Sequence, residues 1–146
     1  MRTKSGFTLV EILIVVVILG ILAAIVIPQF TEASTEAKTS SLCTDLQTMR
    51  SQIELYKIQH NDDLPGAGAA SFVEALTGQT DVAGAVGNDY GPYLQKIPSN
   101  QFVDSDGIAE GVAAPPPIVT DGSVGWYFNT TTGAFNACDT AEHAAL

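Results

Sequence analysis

"KSGFTLVEILIVVVILGILAAIVIPQF", residues 4–30, decides how this chain is built. From Phe7 to Ile27 it is a 21-residue apolar run broken only by Thr8, Glu11 and Gly20. At 1.5 Å per residue a helix of that length measures roughly 31 Å, close to the ~30 Å hydrocarbon thickness of a bilayer. Arg2 and Lys4 stand before it. Basic residues prefer the cytoplasmic side, so the N-terminus is expected there and the remainder of the chain across the membrane. Glu11 resists this simple picture, because a carboxylate at the membrane centre costs about 2.5–3.5 kcal/mol even on lenient scales.

Three readings of the run compete. A cleaved secretory signal has a shorter apolar core and a small-residue site at its end. "LAA" at 22–24 imitates such a site, but the run continues to Ile27. A plain membrane anchor fits the length and leaves Glu11 unexplained. Cleavage between Gly6 and Phe7 places Glu11 one helical turn, about 6 Å, from a new cationic α-amino group. The positive end of the helix dipole adds to that charge. On this third reading Glu11 pairs with the Phe7 amine of its own chain or of a neighbour. A buried charge pair sets register better than it adds stability, so Glu11 reads as an assembly residue.

Outside this run the chain is polar, Gly-rich and acidic; the whole chain has a formal net charge of -10 and only six Lys and Arg. An acidic chain without a basic patch is a poor match for nucleic acid, and none is expected as a partner. The 146 residues fit one small domain plus an appendage. No Gly-x-Ser-x-Gly, phosphate-binding loop or dinucleotide motif is present, so no enzymatic activity is expected. His60 and His143 have no partner at metal or triad spacing and read as surface residues.

From Gln29 to about His60 the pattern turns amphipathic. Leu42, Leu46, Met49, Ile53 and Tyr56 are spaced 4, 3, 4 and 3 residues apart, which is a helical stripe for packing on a small domain. Pro28 lacks an amide donor and is expected to kink the helix. Gly20 is either a weak point where helicity is lost or a close-packing site in a membrane helix. "HNDDLPGAG" at 60–68 ends the helix, and "SFVEALTG" at 71–78 predicts a short helix with a Ser71–Glu74 capping box and a Gly78 stop. Tyr93, Leu94, Ile97 and Phe102 are expected to reach the core, and 103–122 reads as a long loop. "GWYFNTTTGAFNA" at 125–137 predicts a hairpin with strands over 124–129 and 134–137, its Trp126, Phe128 and Phe135 facing the long helix. The expected fold class is α+β, with the long helix packed against a small antiparallel sheet.

The leader ending in Gly6, the aromatic Phe7, then Thr8, Leu9, Glu11, Gly20 and Pro28 together resemble the N-terminal segment of type IV pilins and of the pseudopilins of type II secretion. "IELYKIQHNDDLPG", "GPYLQKIP" and "GWYFNTTTGAFNA" are similar to the major pseudopilin, although "SNQFVDSDG" at 99–107 departs from that family's usual pattern. The resemblance implies a type IV pilin-like fold divided into a cleaved leader (1–6), a transmembrane and filament-core helix (7–28), an amphipathic half (29–60) and a small periplasmic domain (61–146). It implies a prepilin peptidase that cuts after Gly6 and methylates Phe7, and assembly through Phe7, Glu11, Gly20 and Pro28. The implied partners are other copies in a helical homopolymer, minor pseudopilins, membrane lipid before assembly, and an inner-membrane platform with a separate cytoplasmic ATPase. The filament would drive protein export across the outer membrane. A type IV or competence pilin is the alternative. From a different class comes a monomeric membrane-anchored periplasmic binding domain, in which Glu11 is incidental and no cleavage occurs.

Two further features carry chemistry. Asp104, Asp106 and Gly107 form an Asp-x-Asp-Gly element whose hard oxygen ligands suit calcium, with Asp121 a more distant candidate, and the resemblance implies calcium in a loop beside the sheet. Cys43 and Cys138 both fall outside the membrane in the expected topology, where a disulfide persists. Cys43 sits on the long helix and Cys138 follows the strand expected to pack on it, so the two are candidates for a bridge.

Overall fold

Helix α1 runs from Leu9 to Gln59 and is unbroken at Gly20 and at Pro28. This is a computed structural model that describes residues 6–146; Arg2 and Lys4, expected to orient the span, lie outside the described residues. The chain divides into two compact units, one up to Thr39 and the other from Ser40 to Leu146.

In the first unit every residue from Gly6 to Ala37 is exposed. An 18-residue window of α1 near the N-terminus is apolar enough to cross a membrane, and none of it is buried within the chain. Pro28 offers no amide to the carbonyl one turn back. Beyond it the helix carries a ladder of hydroxyls. Thr31 Oγ1 donates to the Ile27 carbonyl at 3.2 Å, Thr35 to Thr31 at 3.1 Å and Thr39 to Thr35 at 3.0 Å. Each threonine satisfies its hydroxyl on the helix itself.

In the second unit the predicted stripe is the buried face of α1: Leu42, Leu46, Met49, Ile53 and Tyr56 are all at most 2% exposed. Spacings of three and four residues keep these side chains on one face. They join Phe72, Leu76, Trp126, Phe128 and Phe135 in one core cluster, with Ile97 buried and Tyr93, Leu94 and Phe102 packed on its margin. Helix α1 ends where Asn61 and Asp62 take positive φ, and Asp62 N–H donates to the Lys57 carbonyl at 2.9 Å. Asparagine tolerates that left-handed turn better than most residues. The short helix α2, Phe72–Thr77, starts at the expected capping box of Ser71 and Glu74 and stops at Gly78.

The sheet has three strands: β1 (Ile108–Gly111), β2 (Trp126–Asn129) and β3 (Phe135–Ala137), in the order β1-β2-β3. Strands β2 and β3 form the expected antiparallel hairpin, with Trp126 opposite Ala137 and Phe128 opposite Phe135. Its turn is held by Asn129 Oδ1, which accepts from the amides of Thr131 and Thr132. Gly133 closes it at φ 76, a conformation open to glycine, and a Cβ there would meet Leu64 Cδ2 at 2.7 Å. Strand β1 corrects two expectations. It lies inside 103–122, read as loop, and it pairs with β2 in parallel, so the sheet is mixed rather than antiparallel. "IAEG" has one β-branched residue and a weak burial pattern. Its partner is distant in sequence, so no local signal announces the pairing.

The histidines are also corrected. His60 is fully buried, its ring stacked on Tyr56 at 3.7 Å between centroids. The Tyr56 carbonyl only accepts, so His60 Nδ1 donates to it at 2.9 Å, and Nε2 is hydrogen-bonded to the Thr80 hydroxyl at 2.9 Å. His143 is half-buried in the C-terminal 3-10 helix, Nδ1 paired with Asp139 Oδ2 and its ring against Phe102. Asp139 Oδ1 in turn accepts from Asn100 Nδ2. Among the described residues no buried side-chain nitrogen or oxygen lacks a partner. A place at an element end or in a tail makes each histidine look like a surface residue in sequence, yet folding brings Thr80 to the His60 ring and Phe102 to the His143 ring.

Replacing Ile53 with Ala is expected to destabilise the second unit by about 2–5 kcal/mol, since it empties a packed site. Gln47→Ala, on the exposed side of the same helix, is expected to change stability by no more than about 0.5 kcal/mol. Urea unfolding of the detergent-solubilised chain, followed by Trp126 fluorescence, distinguishes the two; equal midpoints would refute this assignment of the buried face.

Candidate functional site

The first turn of α1 is built by Thr8 and Glu11. Thr8 precedes the helix, and its backbone N–H and its hydroxyl both donate to Glu11 Oε2 at 2.8 Å. The Glu11 amide is 3.3 Å from Thr8 Oγ1. This is a capping box: the orphan amides at a helix start are satisfied by side chains. The arrangement is repeated at Ser71 and Glu74, where the backbone N–H and then the hydroxyl of Ser71 hold the Glu74 carboxyl below its usual range. Thr8 was visible in the sequence as part of a Thr-x-x-Glu spacing, but its capping role was not read there. The apolar surroundings drew attention to the charge of Glu11 and away from its hydrogen-bonding geometry.

Glu11 therefore has a local partner before any other chain approaches, and Oε2 alone carries both bonds from Thr8. Phe7 is 81% exposed, next to this cap. With the chain continuous through Gly6, the Phe7 nitrogen is a peptide nitrogen; only cleavage turns it into a cation. A Cβ built on Gly20 would meet nothing within 4 Å. Nothing in a single chain demands glycine there, so any packing role needs a neighbour from outside.

The remaining candidates do not converge. Asp104, at φ 54, and Asp106 are both exposed. Asp121 Oδ1 is occupied by the amide and hydroxyl of Ser123 at 2.9 and 2.6 Å. Among the described residues no group of three or more His, Cys, Asp or Glu side chains gathers to hold a metal. The Cys43–Cys138 bridge is corrected as well, because both thiols are free. Cys43 follows Leu42, about 100° round the helix from the buried stripe, and is exposed. Cys138 is buried, its thiol directed at the Val124 carbonyl at 3.8 Å.

Residues 1–27 match the family described as the prokaryotic N-terminal methylation motif. The start of this chain is similar to that motif. Thr8 and Glu11 thus lie inside that motif, as does Gly20. The chain is 44% identical over 59 residues to type II secretion system core protein G of Pseudomonas aeruginosa, covering 40% of this chain and 42% of the relative. Against the protein of the same name from Vibrio cholerae it is 38% identical over 61 residues, 42% of each chain. Against that of Escherichia coli K12 it is 34% identical over 75 residues, 51% of this chain and 52% of the relative. The chain thus spans about two fifths to one half of the length of these curated relatives. No solved structure matches it. The long apolar helix start and the small three-stranded sheet make an α+β fold, and with the motif match they are consistent with a type IV pilin-like fold.

Burial, and then the charge of Asp139, push the Cys138 thiol up to about 11. A thiol that high is almost wholly protonated near neutrality, and only the thiolate is a good nucleophile. Iodoacetamide at pH 8 is expected to label Cys43 in the native chain and both cysteines in urea, as read by intact mass. The folded thiol titrates above the unfolded one, so its contribution to stability is complete below about 9 and is lost as pH rises towards 11. Rapid labelling of native Cys138 would refute its burial.

Proposed function

We propose that this chain is a structural subunit of a type II secretion pseudopilus, of the major pseudopilin kind. The observation that carries the reading is that the most apolar stretch of α1 is wholly unburied in its own chain. Such a surface must be covered by lipid, by neighbouring copies, or by each in turn. The methylation motif over residues 1–27 and the identity to core protein G support the same reading.

In this account a prepilin peptidase cuts between Gly6 and Phe7 and methylates the new amine. Before assembly the chain is anchored in the bacterial inner membrane, with its N-terminus cytoplasmic and residues 61–146 periplasmic. Extraction into a helical homopolymer replaces lipid contacts with subunit contacts, aided by an inner-membrane platform whose ATPase is a separate protein. Minor pseudopilins join the same filament, which drives proteins across the outer membrane. The chain acts mechanically and carries no catalytic group of its own.

The Thr8–Glu11 box gives Glu11 a defined position in this process. The carboxylate is held at the positive end of the helix dipole while the chain waits in lipid. Cleavage then creates an ammonium group one residue before Thr8. Pairing it with Glu11, within a chain or between copies, neutralises two charges that oil would otherwise reject. Gly20 and Pro28 mark the part of the helix that adjusts when lipid is exchanged for protein, by local melting or by close approach of a neighbour.

Native-level expression followed by intact mass is expected to show a chain that begins at Phe7 and carries one added methyl group. Glu11→Ala is expected to be processed normally but to yield fewer filaments by roughly tenfold or more, since each ~1.4 kcal/mol lost at a repeated contact is a factor of ten. A chain still beginning at Met1 and monomeric in the membrane would overturn the proposal. Undiminished filaments from Glu11→Ala would remove the charge pairing from it.

A further inference from the structure

The two edges of the small sheet are not treated alike. The outer edge of β3 is covered: Val119 N–H donates to the Cys138 carbonyl at 2.7 Å, and Asn136 Nδ2 donates to the Ala144 carbonyl at 3.1 Å. Strand β1 forms the opposite edge. Its bonds to β2 come from odd-numbered residues, since Trp126 N–H donates to Gly107 and Thr130 N–H donates to Gly111. Strand geometry repeats every two residues, so the backbone groups of Ile108 and Glu110 point away from β2. Among the described residues those outward groups make no backbone hydrogen bond. An unpaired strand edge is a template for another strand unless something blunts it.

Beside that edge runs a groove of about 470 Å³ lined by Val73, Lys96, Ile97, Asp106, Ile108 and Glu110. Val73 and Ile97 come from α2 and the segment after it, so the groove has an apolar wall as well as a hydrogen-bonding edge. Asp106 and Glu110 outnumber Lys96 along it. Residues 40–146 as a whole hold 13 Asp and Glu against three Lys and Arg. A second copy of so acidic a unit is repelled from this edge, whereas a cationic strand is attracted.

We propose that the β1 edge binds an extended segment of a partner protein by strand addition, with the partner's Lys or Arg residues set against Asp106 and Glu110. The backbone bonds are to Ile108 and Glu110, and alternate apolar side chains rest on Val73 and Ile97. Main-chain bonding supplies affinity and the groove supplies selectivity. This inference concerns the second unit alone and does not depend on the filament reading.

The test uses the full ¹⁵N-labelled chain in detergent micelles and an octapeptide of alternating valine and lysine. Amide exchange is expected to slow at Ile108 and Glu110 by about tenfold on peptide addition. Binding is expected to weaken as salt rises, and Asp106→Asn with Glu110→Gln is expected to weaken it at constant salt. The same peptide methylated on every backbone nitrogen is expected to give no protection. The proposal is overturned if the methylated peptide protects equally, which would mean charge attraction alone, or if neither peptide protects. Protection that appears without peptide and grows with protein concentration would assign the edge to a second copy and also overturn it.

Discussion

The second unit depends on one contact: the stripe from Leu42 to Tyr56 on α1 against Phe72, Trp126, Phe128 and Phe135. These aromatics pack on one another as well as on the helix, with Phe72 and Phe128 at 4.3 Å and Trp126 and Phe135 at 5.4 Å between ring centroids. Large rings bury much area per residue, which a unit with so short a sheet requires. Polar contacts then fix what the apolar contact leaves free. Arg50 Nε donates to the Phe135 carbonyl at 3.0 Å and ties the helix to β3. His60 ties the helix end to Thr80, and Asn100 joins Gly125 and Asp139.

A single helix thus carries two surfaces with opposite requirements. From Leu42 onwards it buries one face and exposes the other, as in any globular unit. Before Ala37 it buries nothing, although nearly every residue up to Ile27 is apolar. An all-round apolar helix is satisfied in lipid or among other helices. The two capping boxes show the same economy: Ser71–Glu74 starts a short helix of the second unit, and Thr8–Glu11 starts the apolar end of α1. In the second case the carboxylate caps the helix and is also the charge that membrane burial makes costly.

The sheet shows how a small unit handles its edges. The segment after β3 folds back and covers that strand. Strand β2 is buried throughout, and Tyr127 reaches the opposite side to accept from the Ala113 amide at 2.7 Å. Strand β1 adds the second ladder of backbone bonding, to β2, without a further strand beyond it. Its exposed rim is acidic, like most of the surface around it, which disfavours pairing between identical units and leaves the edge selective by charge.

Much of this was legible because it is periodic or local. The 21-residue apolar run, the 4-3-4-3 stripe, the Ser71–Glu74 box and the Asn129–Gly133 turn each declare themselves within a few residues, by spacing that backbone geometry imposes. What stayed hidden was non-local. Strand β1 exists because β2 passes beside "IAEG", and nothing in those four residues says so. His60 is bonded to Thr80 and packed beside Tyr93, His143 lies against Phe102, and the Cys138 thiol faces the Val124 carbonyl, all contacts between residues distant in the chain. The amino-acid order alone determined the helix, its apolar start and the face it buries, because side-chain period and hydrophobicity are properties of neighbours in the chain. Where Arg50, Thr80 and Asn100 find their partners, and which strand edge is left open, was decided only by tertiary structure, because those bonds join residues that the fold, and not the chain, makes adjacent.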